Sequence, residues 1–200
     1  MILSRQQLRQ LVRKRRQALT PLQQTQAAEL LLTQLSRHPL IASADKIAVY
    51  LANDSEINPL PFIHWCWQQG KSIYLPVLHP FSKGQLLFLH YDENTDMTVN
   101  HLGITEPKLD LQKICPVEQL DILLTPLVAF DSSGDRLGMG GGFYDRTLEK
   151  WHRSHRQGES TTLHPIGLAH DCQLVEKIPS QYWDVPIPEI ITPGKVYKCE

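Results

Sequence analysis

Hydrophobic residues near the start of the chain recur at helical spacing. They run from Leu8 to Leu19, and Ser4 with Gln7 forms the sequence pattern of a capping box just before them. The same pattern returns at Thr20, where the next residue is a proline suited to the first position of a helix. Two helices are therefore predicted, over residues 5–18 and 21–37.

From Lys46 onward, short hydrophobic runs alternate with segments of helical character. Such runs are typical of strands buried in a parallel sheet. The predicted strands are 46–51, 72–76, 86–91, 122–130 and 163–169, and the predicted helices are 61–69, about 142–155 and 170–176. The polar stretch 92–118 is expected to be a long connection. This order predicts one α/β domain over residues 1–200, with three layers, a mainly parallel central sheet flanked by helices, and an N-terminal helical pair.

The composition of the 200-residue chain suits a globular protein with a sizeable core, because 42% of its residues are hydrophobic and 20% are charged. No hydrophobic run approaches the roughly 18 residues of a membrane span, so no membrane partner is expected. The four cysteines lie far apart and form no C-x-x-C pair, which indicates reduced thiols and a cytoplasmic location. An arginine-rich transit peptide is the alternative interpretation of the N-terminus.

Positive charge is concentrated at the N-terminus. The net charge is −1, yet residues 1–28 hold six basic residues and no acid. Arg5, Arg9, Arg13 and Arg16 fall on one face of the first predicted helix. Such a stripe is commonly a solvated face, and nucleic acid is disfavoured because no interleaved aromatic residues accompany it. The planar guanidinium group also suits a polyphosphate, which is the functional interpretation.

The densest functional signal lies between the fourth predicted strand and the helix after it. Arg136 precedes four glycines within five positions, at 138 and 140–142, and Asp145 follows them. Exposed backbone N–H groups and the positive end of a helix dipole favour an anion. Neither G-x-x-x-x-G-K-[ST] nor G-x-G-x-x-G fits this segment. The alternative is a glycine-rich corner, with Asp145 as a helix cap instead of a metal ligand.

A second candidate follows the first predicted strand, which ends at Leu51, with Glu56 a few residues beyond it. Open α/β sheets bind ligands beyond the carboxyl ends of their strands, where a carboxylate can accept hydrogen bonds from adjacent N–H groups. On these residues alone, a solvated loop acid is the alternative.

The segment RLGMGGGFYDR (136–146), preceded by LLTPLVAFD (123–131), resembles the signature of the 5-formyltetrahydrofolate cyclo-ligase family. KIAVYL (46–51) running to Ser55-Glu56-Ile57, IGLAHDCQLVEKIP (166–179) and WDVPIPEIITP (183–193) are similar to further family segments, so the likeness covers nearly the whole chain. The resemblance implies a ligase that cyclises 5-formyltetrahydrofolate to 5,10-methenyltetrahydrofolate. It implies ATP as co-substrate, Mg²⁺ as cofactor, release of ADP and phosphate, and a phosphorylated formyl (imino-phosphate) intermediate.

The resemblance also implies roles for individual positions. Catalytic roles fall on Arg136, Tyr144 and Asp145, and Asp145 is implied to bind Mg²⁺. ATP contacts are implied for Arg5, Arg9, Arg136, Leu137, Gly138, Met139, Gly140, Gly141, Gly142, Phe143 and Tyr144. Folate contacts are implied for Leu51, Glu56, Met139, Gly140, Gly141, Gly142 and Phe143.

Three positions depart from the family pattern. Met139 stands where a basic or aromatic residue is common, and Phe143 replaces the first tyrosine of a pair. Pro188 stands where some members have an acid that assists metal binding, which leaves Asp184 or water as the second metal contact. The expected partners are the folate and ATP, without nucleic acid, and the expected state is a monomer. Two alternatives stay open: another α/β enzyme acting on a phosphorylated sugar or acyl carrier, and a non-catalytic nucleotide-binding protein.

Overall fold

The computed structural model describes residues 3–199, and its elements are five α-helices and twelve strands within that range, several of the strands following one another directly. The helices are α1 (Arg5–Gln17), α2 (Pro21–Ser36), α3 (Pro39–Ser43), α4 (Leu60–Gln68) and α5 (Phe143–Arg156). The strands are β1 (Lys46–Ala48), β2 (Ser72–Leu78), β3 (Leu86–Tyr91), β4 (Met97–Val99), β5 (Thr105–Pro107), β6 (Ile114–Cys115), β7 (Ile122–Pro126), β8 (Ala129–Phe130), β9 (Arg136–Leu137), β10 (His164–Leu168), β11 (Glu189–Ile191) and β12 (Val196–Lys198). Short 3-10 turns cover Leu111–Lys113, Val117–Gln119 and Asp171–Gln173.

The first two helices begin at the caps that the sequence predicts. Ser4 Oγ accepts a hydrogen bond from the Gln7 N–H, and the Gln7 side chain accepts from the Ser4 N–H. Thr20 and Gln23 make the same reciprocal pair before α2. Each box satisfies N–H groups that the first helical turn leaves without partners, so the start of each helix is fixed locally.

Eight strands form the central sheet in the order β12-β11-β10-β7-β1-β2-β3-β6. The neighbours from β11 to β2 pair in parallel, while β12, β3 and β6 pair antiparallel at the two edges. The predicted mainly parallel sheet is therefore confirmed for its centre. Parallel strands place their carboxyl ends along one edge, which is where open α/β sheets bind ligands.

Alternate residues of the central strands face opposite layers of helices. Ile47 packs in the cluster that holds the buried side chains of α2, α3 and α4, whereas Ala48 packs in the cluster that holds Leu148 and Trp151 of α5. The same alternation separates residue 73 from 74 and residue 122 from 123. The predicted layers of helices on both faces are confirmed.

The two N-terminal helices form as predicted but belong to different parts of the molecule. The side chains of α2 pack in the main core, whereas Leu8 and Val12 of α1 pack against Val128, Ala129 and Leu137. β8 and β9 pair with each other and not with the central sheet. The first helix therefore lies beside the segment that leads into the glycine-rich loop.

The structure corrects several predicted boundaries. The predicted strand 122–130 is broken after Pro126, and the carbonyls of Leu127 and Val128 accept hydrogen bonds from the buried Gln173 amide, at 2.7 and 3.0 Å. The hydrophobic run is continuous in sequence although the strand is interrupted. The interruption is tolerated because the Gln173 side-chain amide satisfies the carbonyls that leave the sheet. The predicted strand 46–51 ends at residue 48, and 170–176 contains a single 3-10 turn.

The stretch 92–118 is also more ordered than a plain connection. It contains β4, β5 and β6, and β4 pairs antiparallel with β5.

Within residues 3–199, no helix is both long and apolar enough to span a membrane.

Candidate active site

A cavity of about 530 Å³ opens at the carboxyl ends of the central strands. Its floor includes Leu51 beyond β1, Pro76 and Leu78 at the end of β2, and Pro126 at the end of β7. The glycine-rich loop and the start of α5 form one wall, and residues 100–106 form another. The position agrees with the binding edge that the sheet topology defines.

The glycine-rich loop reaches α5 through unusual backbone conformations. Gly140 has φ +108°, and Gly142, which caps the helix, has φ +65°. Both lie in the region that disfavours side chains, so glycine is required here by the backbone. The loop is anchored by Arg146, whose guanidinium group donates to the Gly141 carbonyl and, at 2.8 Å, to the Gly84 carbonyl. The N-terminus of α5 is thereby presented at the cavity wall.

Arg136 and Asp145 form an ion pair at the base of this loop. Arg136 Nη2 lies 2.9 Å from Asp145 Oδ1, and the Arg136 side chain is 3% exposed. The same carboxylate oxygen accepts from the Val185 N–H at 3.2 Å. Among residues 3–199, the buried Nε of Arg136 has no hydrogen-bond partner. Arg136 lines the cavity, so its guanidinium group retains hydrogen-bonding capacity for an anionic ligand.

Glu56 is the predicted substrate-binding acid, and it lines the same cavity. Its Oε2 accepts from the Asn53 N–H at 3.0 Å. Burial raises the pKa of the Glu56 carboxyl to about 7, although the Asn53 N–H and Arg16 oppose this change. Tyr144 also lines the cavity, and burial followed by the negative charge of Glu56 raises the pKa of its hydroxyl well above the usual range. The Tyr144 hydroxyl therefore stays a neutral donor or acceptor.

The arginine stripe of α1 divides its contacts among three places, the C-terminal segment, the glycine-rich loop and the turn at Asp54. Arg5 pairs with Asp184 and donates to the Pro179 carbonyl at 3.1 Å, and Arg9 Nε donates to the Gly138 carbonyl at 2.8 Å. Arg13 and Arg16 instead pair with Asp54. The solvated-face interpretation is wrong for Arg16, which is fully buried.

The structure brings most of the predicted site residues to one cavity. Those that line it are Leu51, Glu56, Arg136, Gly138, Met139, Gly141, Gly142, Phe143, Tyr144 and Asp145. Four others lie outside its lining, namely Arg5, Arg9, Leu137 and Gly140. Arg9 reaches the loop through the Gly138 carbonyl, whereas the Leu137 side chain is buried in the cluster with α1. Only the backbone of Leu137 is left for a ligand.

Sequence reasoning missed the wall formed by residues 100–106. Here Glu106 Oε2 accepts from the Leu78 N–H at 3.0 Å and from the Asn100 amide at 2.8 Å, which fixes the β4–β5 hairpin to β2. The one available signal was the length of the connection, since long loops in compact domains tend to be functional. Asp54 was missed because its partners lie far away in sequence.

Of the residues predicted to bind a metal ion, Asp145 is the carboxylate that lines the cavity. Its side chain is partly exposed, while its Oδ1 already contacts Arg136. Within residues 3–199, no group of three His, Cys, Asp or Glu side chains is arranged to hold a metal by itself. A single carboxylate suits Mg²⁺ that is bound mainly through phosphates and water.

The sheet, the cavity at its carboxyl edge and the glycine-rich turn define an α/β protein with a candidate ligand site in the position usual for open parallel sheets. A model of the 5-formyltetrahydrofolate cyclo-ligase family matches residues 2–193. 5-Formyltetrahydrofolate cyclo-ligase of Escherichia coli strain K12 is 49% identical over 188 residues, covering 94% of this chain and 100% of that protein. The enzyme of the same name from Haemophilus influenzae is 48% identical over 191 residues, covering 94% and 96%.

Among solved structures, 5,10-methenyltetrahydrofolate synthetase of Aquifex aeolicus superimposes with a TM-score of 0.80 at 25% identity, over 97% of this chain and 92% of that one. The chain belongs to the 5-formyltetrahydrofolate cyclo-ligase family. It is an enzyme of the ligase class, and the resemblance seen in the sequence is confirmed.

Proposed function

We propose that the protein catalyses the ATP-dependent cyclisation of 5-formyltetrahydrofolate to 5,10-methenyltetrahydrofolate, with release of ADP and phosphate. The observation that carries the proposal is a single cavity shared by the Glu56 carboxylate, the buried Arg136 and the glycine-rich loop. One end offers an acceptor for adjacent N–H donors, and the other offers donors for phosphates. A folate and a nucleotide present those two chemistries.

The pterin ring of the folate is assigned to the end of the cavity that holds Glu56. A pterin carries adjacent N–H groups, which an ionised carboxylate accepts in a bidentate manner. Leu51 and the side chains at the ends of β2 and β7 supply apolar surface for the ring. Met139 and Phe143 extend this surface towards the loop, so the formyl group would lie beside the phosphate end.

The phosphates of ATP are assigned to the loop from Gly138 to Tyr144. Its positive-φ glycines allow close approach of backbone N–H groups, and the start of α5 adds the favourable end of the helix dipole. Arg136 also lines the cavity, and we assign its guanidinium group as a further donor for the phosphates. Arg9 contacts the loop through the Gly138 carbonyl and adds positive charge for the nucleotide. Arg5 lies further along the same helix face and is also assigned to the nucleotide, although its charge is paired with Asp184.

The reaction needs positioning and charge stabilisation, without a covalent protein nucleophile. The formyl oxygen attacks the γ-phosphorus of ATP, the bond to ADP breaks, and an imino-phosphate of the folate forms. The neighbouring amine nitrogen of the folate then attacks the formyl carbon. Phosphate leaves with the former formyl oxygen, the nitrogen loses its proton, and the ring closes. Arg136 is placed to stabilise charge on the transferred group, and Tyr144 offers a neutral hydroxyl to hydrogen-bond it.

Asp145 is the residue assigned to Mg²⁺. Its carboxylate lines the cavity next to the loop and retains one oxygen beyond the contacts made by Oδ1. When bound, the ion offsets negative charge on the phosphate oxygens during transfer. Pro188 removes the acid found at that position in some relatives, so Asp184 or water is left to complete the site, and Asp184 already pairs with Arg5.

The cellular location and the assembly of the site are proposed from two features. Cys66, Cys115, Cys172 and Cys199 are free thiols in the structure, which suits the cytoplasm. The cavity draws on segments from residue 50 to residue 145, so we propose that one domain and one chain carry the complete site.

Mixing the purified protein with 5-formyltetrahydrofolate, ATP and Mg²⁺ tests this function. The methenyl product is a distinct chromophore, so its absorbance should grow only when both substrates are present, together with stoichiometric ADP. Omission of ATP and replacement of ATP by ADP are the controls. Nucleotide binding without product would favour a non-catalytic nucleotide-binding protein. Binding of phosphorylated sugars with no response to the folate would favour the other α/β enzyme.

A further inference from the structure

The turn that precedes Glu56 has a strained backbone. Asp54 has φ +49° and Ser55 has φ +58°, and these two are the only non-glycine residues of the described chain, 3–199, with positive φ. Side chains disfavour this left-handed region, so two such residues in succession persist only when their surroundings hold them. Backbone strain of this kind is often found at binding and catalytic sites.

The surroundings that hold this turn come from α1. Arg13 Nε donates to Asp54 Oδ2 at 2.7 Å, and Arg16 Nη2 donates to the same oxygen at 2.8 Å. Gln17 Nε2 donates to Asp54 Oδ1 at 2.8 Å. Positions 13, 16 and 17 share one helix face, so a single helix occupies both carboxylate oxygens. Because these donors favour the charged form, chiefly the one on Arg13, the pKa of Asp54 is lowered.

The turn then closes onto Glu56 itself. The Glu56 N–H donates to the Asn53 carbonyl at 2.9 Å, and the Asn53 N–H donates to Glu56 Oε2 at 3.0 Å. The Glu56 side chain therefore takes its direction from the backbone of residues 53–56. Asp54 and Glu56 both line the cavity, whereas Arg13 and Arg16 do not.

We propose that Asp54 is a positioning residue for Glu56, held by Arg13 and Arg16 so that the left-handed turn presents the Glu56 carboxylate to the folate. This role rests on the proposed function of Glu56. It goes beyond that function because it assigns Arg13 and Arg16 to the support of the folate-binding carboxylate. The same helix holds the glycine-rich loop through Arg9, so α1 spans both substrate subsites.

Replacing Asp54 by Asn tests the proposal. Asn tolerates the left-handed region at least as well as Asp, so the substitution removes the charge and weakens the grip of the arginines without adding backbone strain. At about pH 9, where the Glu56 carboxyl is ionised in both proteins and its pKa no longer affects binding, we expect the KM for 5-formyltetrahydrofolate to rise at least about fivefold. The KM for ATP should stay within about twofold. Asp92→Asn is the matched control, since Asp92 also organises a turn but lies outside the cavity lining.

Arg13→Gln serves as the second variant. Arg13 is half-exposed, so its loss leaves the fold intact, and the KM for the folate should rise in the same direction by a smaller factor. A folded Asp54→Asn protein with an unchanged folate KM, or with both KM values raised together, would overturn the proposal. If Asp54→Asn does not fold, an unchanged folate KM in Arg13→Gln overturns it.

A titration of the Glu56 carboxyl by NMR separates this proposal from the proposed function, because it uses the unliganded protein. Glu56 faces Arg16, Asp54, Tyr50 and Tyr144, and of these only Arg16 is positive. Loss of the negative Asp54 should lower the pKa of Glu56 from about 7. Absence of cyclisation by the wild-type protein would refute the function alone. Because this shift in pKa follows from the charge alone, the turn itself is followed by hydrogen exchange at the Asn53 and Glu56 N–H groups, which should lose protection in Asp54→Asn. Unchanged protection of both groups would refute the positioning role.

Discussion

The carboxyl group of Glu56 changes its charge across the physiological pH range. Burial raises its pKa to about 7, from an ordinary value of 4.5. Only the ionised form can accept two N–H donors of a pterin at once. The residue that recognises the substrate is therefore also the residue most sensitive to pH.

We expect the KM for the folate, at saturating ATP, to increase as the pH is lowered through 7. The ionised fraction of a group with this pKa falls roughly tenfold between about pH 8 and pH 6, and the KM should rise by a comparable factor. Steady-state kinetics over this range measure it. Glu56→Gln is the control, because a variant without the ionisable group should have a high folate KM with little pH dependence. A wild-type KM that is flat over this range contradicts the assignment.

The raised pKa of Glu56 also has a cost in stability, with a definite sign. The folded state holds the proton more tightly than the unfolded state does, so folding is disfavoured as the pH rises from about 4.5 to 7 and the group ionises. At about pH 8, Glu56→Gln should therefore have a higher urea midpoint than the wild type, with a free energy of unfolding larger by on the order of 1–2 kcal/mol after screening by solvent. This difference in stability should vanish near pH 4. Burial of Glu56 thus lowers the free energy of unfolding at neutral pH, at the residue proposed to recognise the folate.

At the scale of elements, the glycine-rich loop depends on a backbone conformation and not on empty space. A Cβ on Gly140 would meet only Arg9, with the guanidinium carbon 3.7 Å away, which is ordinary contact. The positive φ of +108° is the obstacle, so an alanine here would shift the loop. Gly158, at the far end of α5, shares a positive φ and open space but lies away from the cavity.

We expect Gly140→Ala to lower kcat/KM at least tenfold, about 1.4 kcal/mol of transition-state stabilisation, with a smaller loss of unfolding free energy. Gly158→Ala should lower stability by a similar amount and leave kcat/KM unchanged. Urea midpoints measured beside the cyclisation assay compare the two. Wild-type turnover in Gly140→Ala would return the loop to the interpretation of a simple corner.

The first helix is the other element that both substrates would depend on. Arg9→Ala removes a guanidinium group directly behind the loop, and loss of a charge-assisted contact costs roughly 1.5–3 kcal/mol. We expect the KM for ATP to rise by about one to two orders of magnitude and the folate KM to change little. Arg15→Ala is the matched control, since Arg15 is exposed on the same helix. Unchanged ATP kinetics in folded Arg9→Ala would exclude the arginine from the nucleotide site.

Some elements could be predicted from their local sequence, whereas others depend on contacts with distant residues. Both N-terminal helices were predictable because their caps are local, as at Ser4 and Thr20. The break after Pro126 was not, because the buried Gln173 side chain that completes its backbone hydrogen bonds lies far along the chain. The β4–β5 hairpin was missed for a similar reason, since Glu106 fixes it to β2 through a long-range contact.

At the scale of the whole molecule, the parallel sheet makes the site partly predictable. Residues after β1 and the loop before α5 both lie at the carboxyl edge of the sheet, where Glu56 and Arg136 line one cavity. The division of the arginine stripe was not predictable, because the partners of Arg5 and Arg16, Asp184 and Asp54, lie far from α1 and far from each other in sequence. Spacing identifies a helix face but not what packs against it.

Asp145 lies where three distant segments join. It belongs to the first turn of α5, pairs with Arg136 of β9, and accepts from the Val185 N–H of the C-terminal segment. Asn has nearly the same shape and can still accept from Val185, but it leaves the buried Arg136 charge uncompensated. Two consequences are expected from Asp145→Asn, one for metal binding and one for the fold.

We expect Asp145→Asn to lower kcat/KM at least about tenfold and to lose about 1–3 kcal/mol of unfolding free energy. If the carboxylate binds Mg²⁺, raising the Mg²⁺ concentration should restore part of the activity while leaving the urea midpoint low, because the lost ion pair is independent of the metal. Glu149→Gln, on the exposed face of the same helix, should change neither quantity. Activity that stays low at every Mg²⁺ concentration would mean that Asp145 acts by orienting Arg136 towards the phosphates. The metal would then be held by ATP and water alone.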